Sequence, residues 1–223
     1  MIEIQNKSNT IKLINRVVFY IIGLFFIALG VAFSVNSQLG VSPVNSLPYV
    51  ISVIIGKDLG TVVIVVFCFY ILVQILLLRK EFQWINLTQI VFSTIFGYFV
   101  DFAKYILGDF TIPTYLGKLT MLAISILLVA LGMCIYVNVK LVNMPMEGMT
   151  AAIQKKVFKN KSFSDVKVIM DCLVVAVGIL LSFTFLGKLV GIREGTVLCT
   201  ILVGKVMKIL QKRIMPILEK LCF

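Results

Sequence analysis

Hydrophobic positions along this chain fall in long uninterrupted blocks, not at the short period of a soluble amphipathic helix or strand. Six such blocks can be read, at residues 17–35, 59–78, 87–107, 119–139, 166–186 and 195–210. Most approach the ~20 apolar residues that carry a helix across the hydrocarbon of a bilayer. Backbone polar groups cannot stay unpaired in lipid, so apolar blocks of this length predict helices. Arg79 and Lys80 end the second block, and Trp84, an interfacial residue type, precedes the third. Asp101 and Lys104 interrupt the third block, Lys167 and Asp171 the fifth, and Lys205 and Lys208 stand near the end of the sixth.

Two further segments, 43–55 and 145–158, each begin at a proline and are too short to cross. Proline suits the first position of a helix, where its missing N–H has no helical partner to lose. Both segments predict short helices, re-entrant or interfacial, that follow a break.

Shifting the chain by 102 residues lays one segment on the other. Ala28-Leu29-Gly30 then falls on Ala130-Leu131-Gly132, Val35-Asn36 on Val137-Asn138, Leu39 on Leu141 and Pro43 on Pro145; seven of twenty positions match without a gap. A looser match superposes Gly97 on Gly204 and sets Asp101 against Lys208. Each half reads span, Pro-led short helix, span, span. Three spans per half send the second half into the membrane from the opposite side. The expected fold is therefore an all-α polytopic membrane protein of six transmembrane helices in two inverted three-span repeats. Its divisions are an N-terminal segment at 1–16, a first repeat at 17–110, an outer loop at 111–117, a second repeat at 118–213 and a tail at 214–223.

Composition supports the membrane reading. Of 223 residues 60% are hydrophobic and 14% charged, against roughly 45–50% and about 25% in soluble domains. The formal net charge of +11 does not point to nucleic acid, because the cations flank the apolar blocks. With the N-terminus inside, sixteen of the 21 Lys and Arg residues, Lys7 and Arg16 among them, lie on the inner side; Lys57, Lys104, Lys118, Lys188 and Arg193 lie outside. Cytoplasmic loops carry such an excess, so both termini are expected in the cytoplasm. The first block is longer than the apolar core of a signal peptide and reads as a retained span. The five cysteines form no CxxC pair and histidine is absent, so neither a zinc site nor a disulfide framework is expected.

The span ending in Asn36, then LGVSP (39–43), DLGT (58–61), GYFVDF (97–102), NMPMEG (143–148) and REGT (193–196), resembles the YczE/YyaS/YitT family of bacterial membrane proteins. The match runs from about residue 17 to residue 210 and is to the short, YczE-like members. The resemblance implies a multi-span inner-membrane protein of a kind often suspected of transport. Such members often carry an aromatic and an acidic residue after the first proline; here Val44 and Asn45 stand there.

Ionisable groups within membrane spans are costly and usually face a cavity or a partner. Glu147, third from Pro145, can either face the positive end of a short helix or bind a cation or proton in a central vestibule. Lys167 and Asp171, spaced i, i+4, can pair on one face, as can Asp101 and Lys104 at i, i+3. Asn36 and Asn138 are candidate C-caps of two long helices, or amides lining one site together with Asn143, Ser42 and Asn45. The substrate-binding candidates are thus Glu147, Asn143, Asn138, Asn36, Ser42 and Asn45, with Asp171, Asp101 and Lys167 as coupling or ion-pair groups. No catalytic residue, metal or cofactor is expected, and the chain is not read as an enzyme. Its partners are the lipid bilayer and a small molecule or ion, with a homodimer as an open option. The expected function is secondary transport, with the site where the repeats meet. The alternatives are a substrate-binding subunit of an energy-coupled uptake system, docking through Ala28 and Ala32, or a non-transport accessory protein.

Overall fold

A computed structural model of the protein describes residues 2–222, with side chains from residue 10 onward; Lys7 lies outside that set. Eight α-helices follow one another: α1 (Ile2–Ser37), α2 (Pro43–Ile55), α3 (Leu59–Leu78), α4 (Thr88–Leu107), α5 (Tyr115–Asn138), α6 (Pro145–Lys156), α7 (Phe163–Leu186) and α8 (Glu194–Cys222). No strand occurs among the described residues. The order long, short, long, long therefore occurs twice.

Five of these segments are long and apolar enough to cross a membrane: Thr10–Ser37, Leu59–Glu81, Trp84–Leu107, Tyr115–Asn138 and Phe163–Leu186. Helix α8 has the length, but Lys205, Lys208, Lys212 and Arg213 through its middle make it too polar for that class. It also runs through the expected boundary at 213, because Leu218 and Cys222 are buried in the core and hold its last turns down. The chain is an all-helical, multi-pass type of membrane protein by these spans.

Helices α1 and α5 form the central seam. A Cβ on Gly23 would meet the Gly132 carbonyl at 2.9 Å, and one on Gly30 would meet the Ser125 carbonyl at the same distance. Only small residues permit so close an approach. Ser125 Oγ donates to the Gly30 carbonyl at 2.7 Å. Positions rising along α1 meet positions falling along α5, so the two helices run antiparallel. Ala28 and Ala32 are fully buried; the proposed docking stripe is part of the core.

Both long helices end the same way. Gln38 (φ 58°) and Lys140 (φ 52°) take the left-handed conformation, which ends a helix and turns the chain. Each is two residues beyond the asparagine expected to cap. Asn36 instead donates to the Gly108 carbonyl at 2.9 Å, and Asn138 to its own i−4 carbonyl on Cys134 at 2.6 Å. The breaks are closed by partners from the other half. Lys118 Nζ donates to Gln38 Oε1 at 2.8 Å, and Arg16 donates to the carbonyls of Val139 and Lys140. The shift of 102 residues that relates Gln38 to Lys140 also relates Arg16 to Lys118.

The short helices cross over. Helix α2 packs against α7, and α6 against α3. Helix α4 packs closely on α3, whereas α8 packs on α5 and barely touches α7.

Candidate functional site

The two breaks aim the starts of α2 and α6 at one another. Pro43 and Pro145 are the first residues of their helices, so Asn45 and Glu147 are each third. Both line a single cavity of about 210 Å³ in the middle of the fold. Lys167 and Asp171, one turn apart on α7, complete its polar side with Ser42. Apart from Thr200, the rest of the wall is apolar or aromatic. Phe67 and Phe96 stack at 6.0 Å and 6°, and Tyr136, Met133, Met144 and Met207 line the space with them.

The polar groups are unevenly matched. Lys167 Nζ donates to Asp171 Oδ1 at 3.2 Å and sits 4.0 Å from Glu147 Oε1. The Glu147 side chain keeps 16% of its exposure and that of Asp171 14%. Two carboxylates thus share one ammonium, leaving a formal excess of one negative charge. Glu147 Oε2 is buried without a hydrogen-bond partner, and so is Asn45 Oδ1. The Asn45 amide is spent on Ser42 Oγ at 3.1 Å. Buried acceptors are rarely left unpaired, because each forfeits its hydration without return. Glu147 stands in the first turn of α6 and lines the cavity as well.

Of the nine residues singled out in the sequence, Ser42, Asn45, Glu147, Lys167 and Asp171 share this cavity. The other four lie elsewhere. Asn36 is tied to the loop before α5 through Gly108. Asn138 accepts from Gln211 Nε2 at 3.2 Å, which joins α5 to α8. Asn143 is exposed and borders a small recess with Tyr20 and Gln89. Asp101 accepts the Gly60 amide at 2.6 Å, capping the start of α3 from a neighbouring helix; its carboxylate is used there, not on Lys104. Tyr136 and Thr200 also line the cavity and were not singled out. Tyr136 is the one tyrosine of its apolar block, which is the signal that could have found it.

A second break contact fixes the site from behind. Gln74 Nε2 donates to the Pro145 carbonyl at 3.1 Å and to Gln89 Oε1 at 3.1 Å. On the other side, Val41 N–H donates to the Gly191 carbonyl at 2.9 Å and Gly195 N–H to that of Leu39 at 2.8 Å. Each short helix therefore starts from a break held by the opposite half.

Residues 14–212 match the model of a family of unknown function, DUF6198. An uncharacterized protein, YyaS, of Bacillus subtilis (strain 168) is 26% identical over 206 residues, covering 92% of this chain and 94% of its own. An uncharacterized membrane protein, YczE, of the same organism is 25% identical over 146 residues, 65% of this chain and 66% of that one. No solved structure matches the chain significantly. The family model spans nearly the whole bundle, from the seam helix α1 to the polar middle of α8, and the chain accordingly belongs to the DUF6198 family of YczE/YyaS-like proteins.

Proposed function

We propose that the chain is a secondary transporter of a small molecule or ion, built from six membrane-crossing helices in two inverted repeats. Both termini lie on the cytoplasmic side of a bacterial inner membrane. The observation that carries this reading is the meeting of Asn45 and Glu147 in one cavity, each the third residue of a Pro-led short helix from a different half. The antiparallel seam supports it. Exchanging the halves by 102 residues turns the Gly23–Gly132 approach into Ser125–Gly30, and the Arg16–Lys140 contact into Lys118–Gln38. Inverted repeats place their sites at the repeat interface, beside broken helices, and move one unit against the other.

Proteoliposomes holding the protein, offered a panel of labelled amines, carboxylates and sugars under an imposed proton or sodium gradient, test it. Accumulation of at least one class is expected. Glu147→Gln and Asp171→Asn should abolish that accumulation while the protein stays monodisperse. Equal uptake by both variants would remove these residues from the path, and no gradient-driven uptake of any class would count against transport. A terminal reporter found outside the cell would overturn the orientation.

A further inference from the structure

The cavity does not end at its polar side. A groove of about 240 Å³ runs outward between α7 and α8 and shares Pro43, Asp171 and Thr200 with it. Its other walls are apolar apart from Thr196, among them Val168, Cys172, Val175, Val197 and Ile201. Val168, Val197 and Ile201 are exposed, so the groove opens on the side of the bundle where lipid would lie. Gly204, which lines the cavity, has nothing within 4 Å of the place a Cβ would take. The groove between α7 and α8 thus adjoins the cavity at Pro43, Asp171 and Thr200.

We propose that this joint site takes an amphipathic amine. Its protonated head donates N–H bonds to Glu147 Oε2 and Asn45 Oδ1, and its apolar tail lies in the α7–α8 groove. The inference deepens the transport reading and takes the location of the site from it. Three observations fix the ligand class. The polar groups carry an excess negative charge, so an anion is repelled. The two unpaired atoms are both acceptors, and Asn45 keeps only 4% of its exposure; they call for a donor, which excludes a quaternary ammonium. The remaining wall is apolar apart from Thr200, and among the described residues no group of three or more His, Cys, Asp or Glu could hold a metal ion. The tail direction follows from the groove, which has no other polar group than Asp171 and the two threonines Thr196 and Thr200 along it.

The test uses the full-length protein in nanodiscs of phosphatidylcholine, whose headgroup has no N–H donor. Primary n-alkylamines from butyl to octyl, the matching alcohols and the matching alkyl sulfates are titrated by calorimetry. Amines should bind, with affinity rising about fourfold per methylene, while alcohols and sulfates should bind at least tenfold more weakly. Glu147→Gln should lower amine affinity ten- to a hundredfold. Val197→Trp, at the exposed rim of the groove and outside the cavity, should flatten the chain-length dependence and leave butylamine bound; this separates the groove from simple partition into lipid. Competition by added phosphatidylethanolamine would identify an amine-bearing lipid headgroup as the source, and no competition a free amine. Equal binding of sulfates or alcohols, or an amine affinity untouched by Glu147→Gln in a folded variant, would overturn the proposal. Amine binding with no uptake of any class into proteoliposomes would sink transport and leave the ligand class standing. Uptake confined to carboxylates or sugars would do the reverse.

Discussion

The pair α3 and α4 and the pair α7 and α8 occupy the same places in their halves of the chain and pack in opposite ways. Helices α3 and α4 are pressed together at Gly60 and Gly97, where a Cβ on either would strike the carbonyl of the other. Gly204 stands on α8 where Gly97 stands on α4, yet faces open space. The partner explains the difference. Gly60 is the second residue of α3, and the second residue of α7 is Ser164; a side chain there denies the backbone contact that one glycine alone cannot make. The interior differs in the same sense. The fifth and ninth residues of α3 are Val63 and Phe67, both fully buried, whereas those of α7 are Lys167 and Asp171. One pair is closed and apolar, and the other open and charged. On the proposed reading, the first supplies a wall and the second a way in.

The largest expected effect comes from breaking the charge side alone. Lys167→Val leaves Glu147 and Asp171 without their shared cation, and an uncompensated buried charge costs about 3 kcal/mol, the low end for such pairs because these ends keep some exposure. Completing the copy of the first half should reverse most of that loss. The triple variant Glu147→Asn, Lys167→Val, Asp171→Phe carries no charge at these three positions, and apolar replacements of buried ion pairs are often neutral or better. Thermal unfolding in detergent should show the single variant well below wild type and the triple near it, with substrate uptake lost in both. A triple variant less stable than the single one would mean that the two pairs are not comparable in packing.

The comparison also marks what could be read without coordinates. The start of each short helix was legible, because proline sets it and the remaining length cannot span a bilayer. The candidate polar residues were legible too, since charge in an apolar block stands out. Their meeting was not. Asn45 and Glu147 come together only because α2 and α6 enter from breaks held by Gly191, Leu39, Gln74 and Pro145, contacts between residues far apart in the chain. The same distance hid the fates of Asn36, Asn138 and Asp101, whose partners Gly108, Gln211 and Gly60 no local pattern names. Asparagine near a helix end suggests a cap, but here the left-handed residues are Gln38 and Lys140, held by cations of the opposite half. The length of α8 was underestimated because its last turns are amphipathic, and only burial of Leu218 and Cys222 reveals that they pack.

A smaller effect should separate the two matched glycines. Gly97→Leu forces α4 off α3 and should cost about 2 kcal/mol, as overpacking does, visible as a lower melting temperature and a loss of monodisperse protein. Gly204→Leu meets no atom within 4 Å of its Cβ and should leave stability within about 0.5 kcal/mol. Its side chain would occupy the open gap, so ligand access and not folding should suffer. Equal damage from both substitutions would show that α7 and α8 close on one another in the membrane.

The smallest effect belongs to Asp101, which secures the closed pair at the start of α3. Its carboxylate accepts the Gly60 amide at 2.6 Å, one of the first N–H groups of α3, which have no partner within that helix. The anion also faces the positive end of the α3 dipole. Asp101→Asn keeps an acceptor in place and removes only the charge, so a loss of about 1 kcal/mol is expected. Asp101→Ala removes both and should cost more, yet neither should alter substrate binding, because Asp101 does not line the central cavity. Hydrogen exchange at the Gly60 amide reads this directly: protection should fall in both variants while exchange across α7 stays as it was. If exchange in α7 rose as well, the closed pair would be bracing the open one, and the two regions would have to be treated as one mechanical unit.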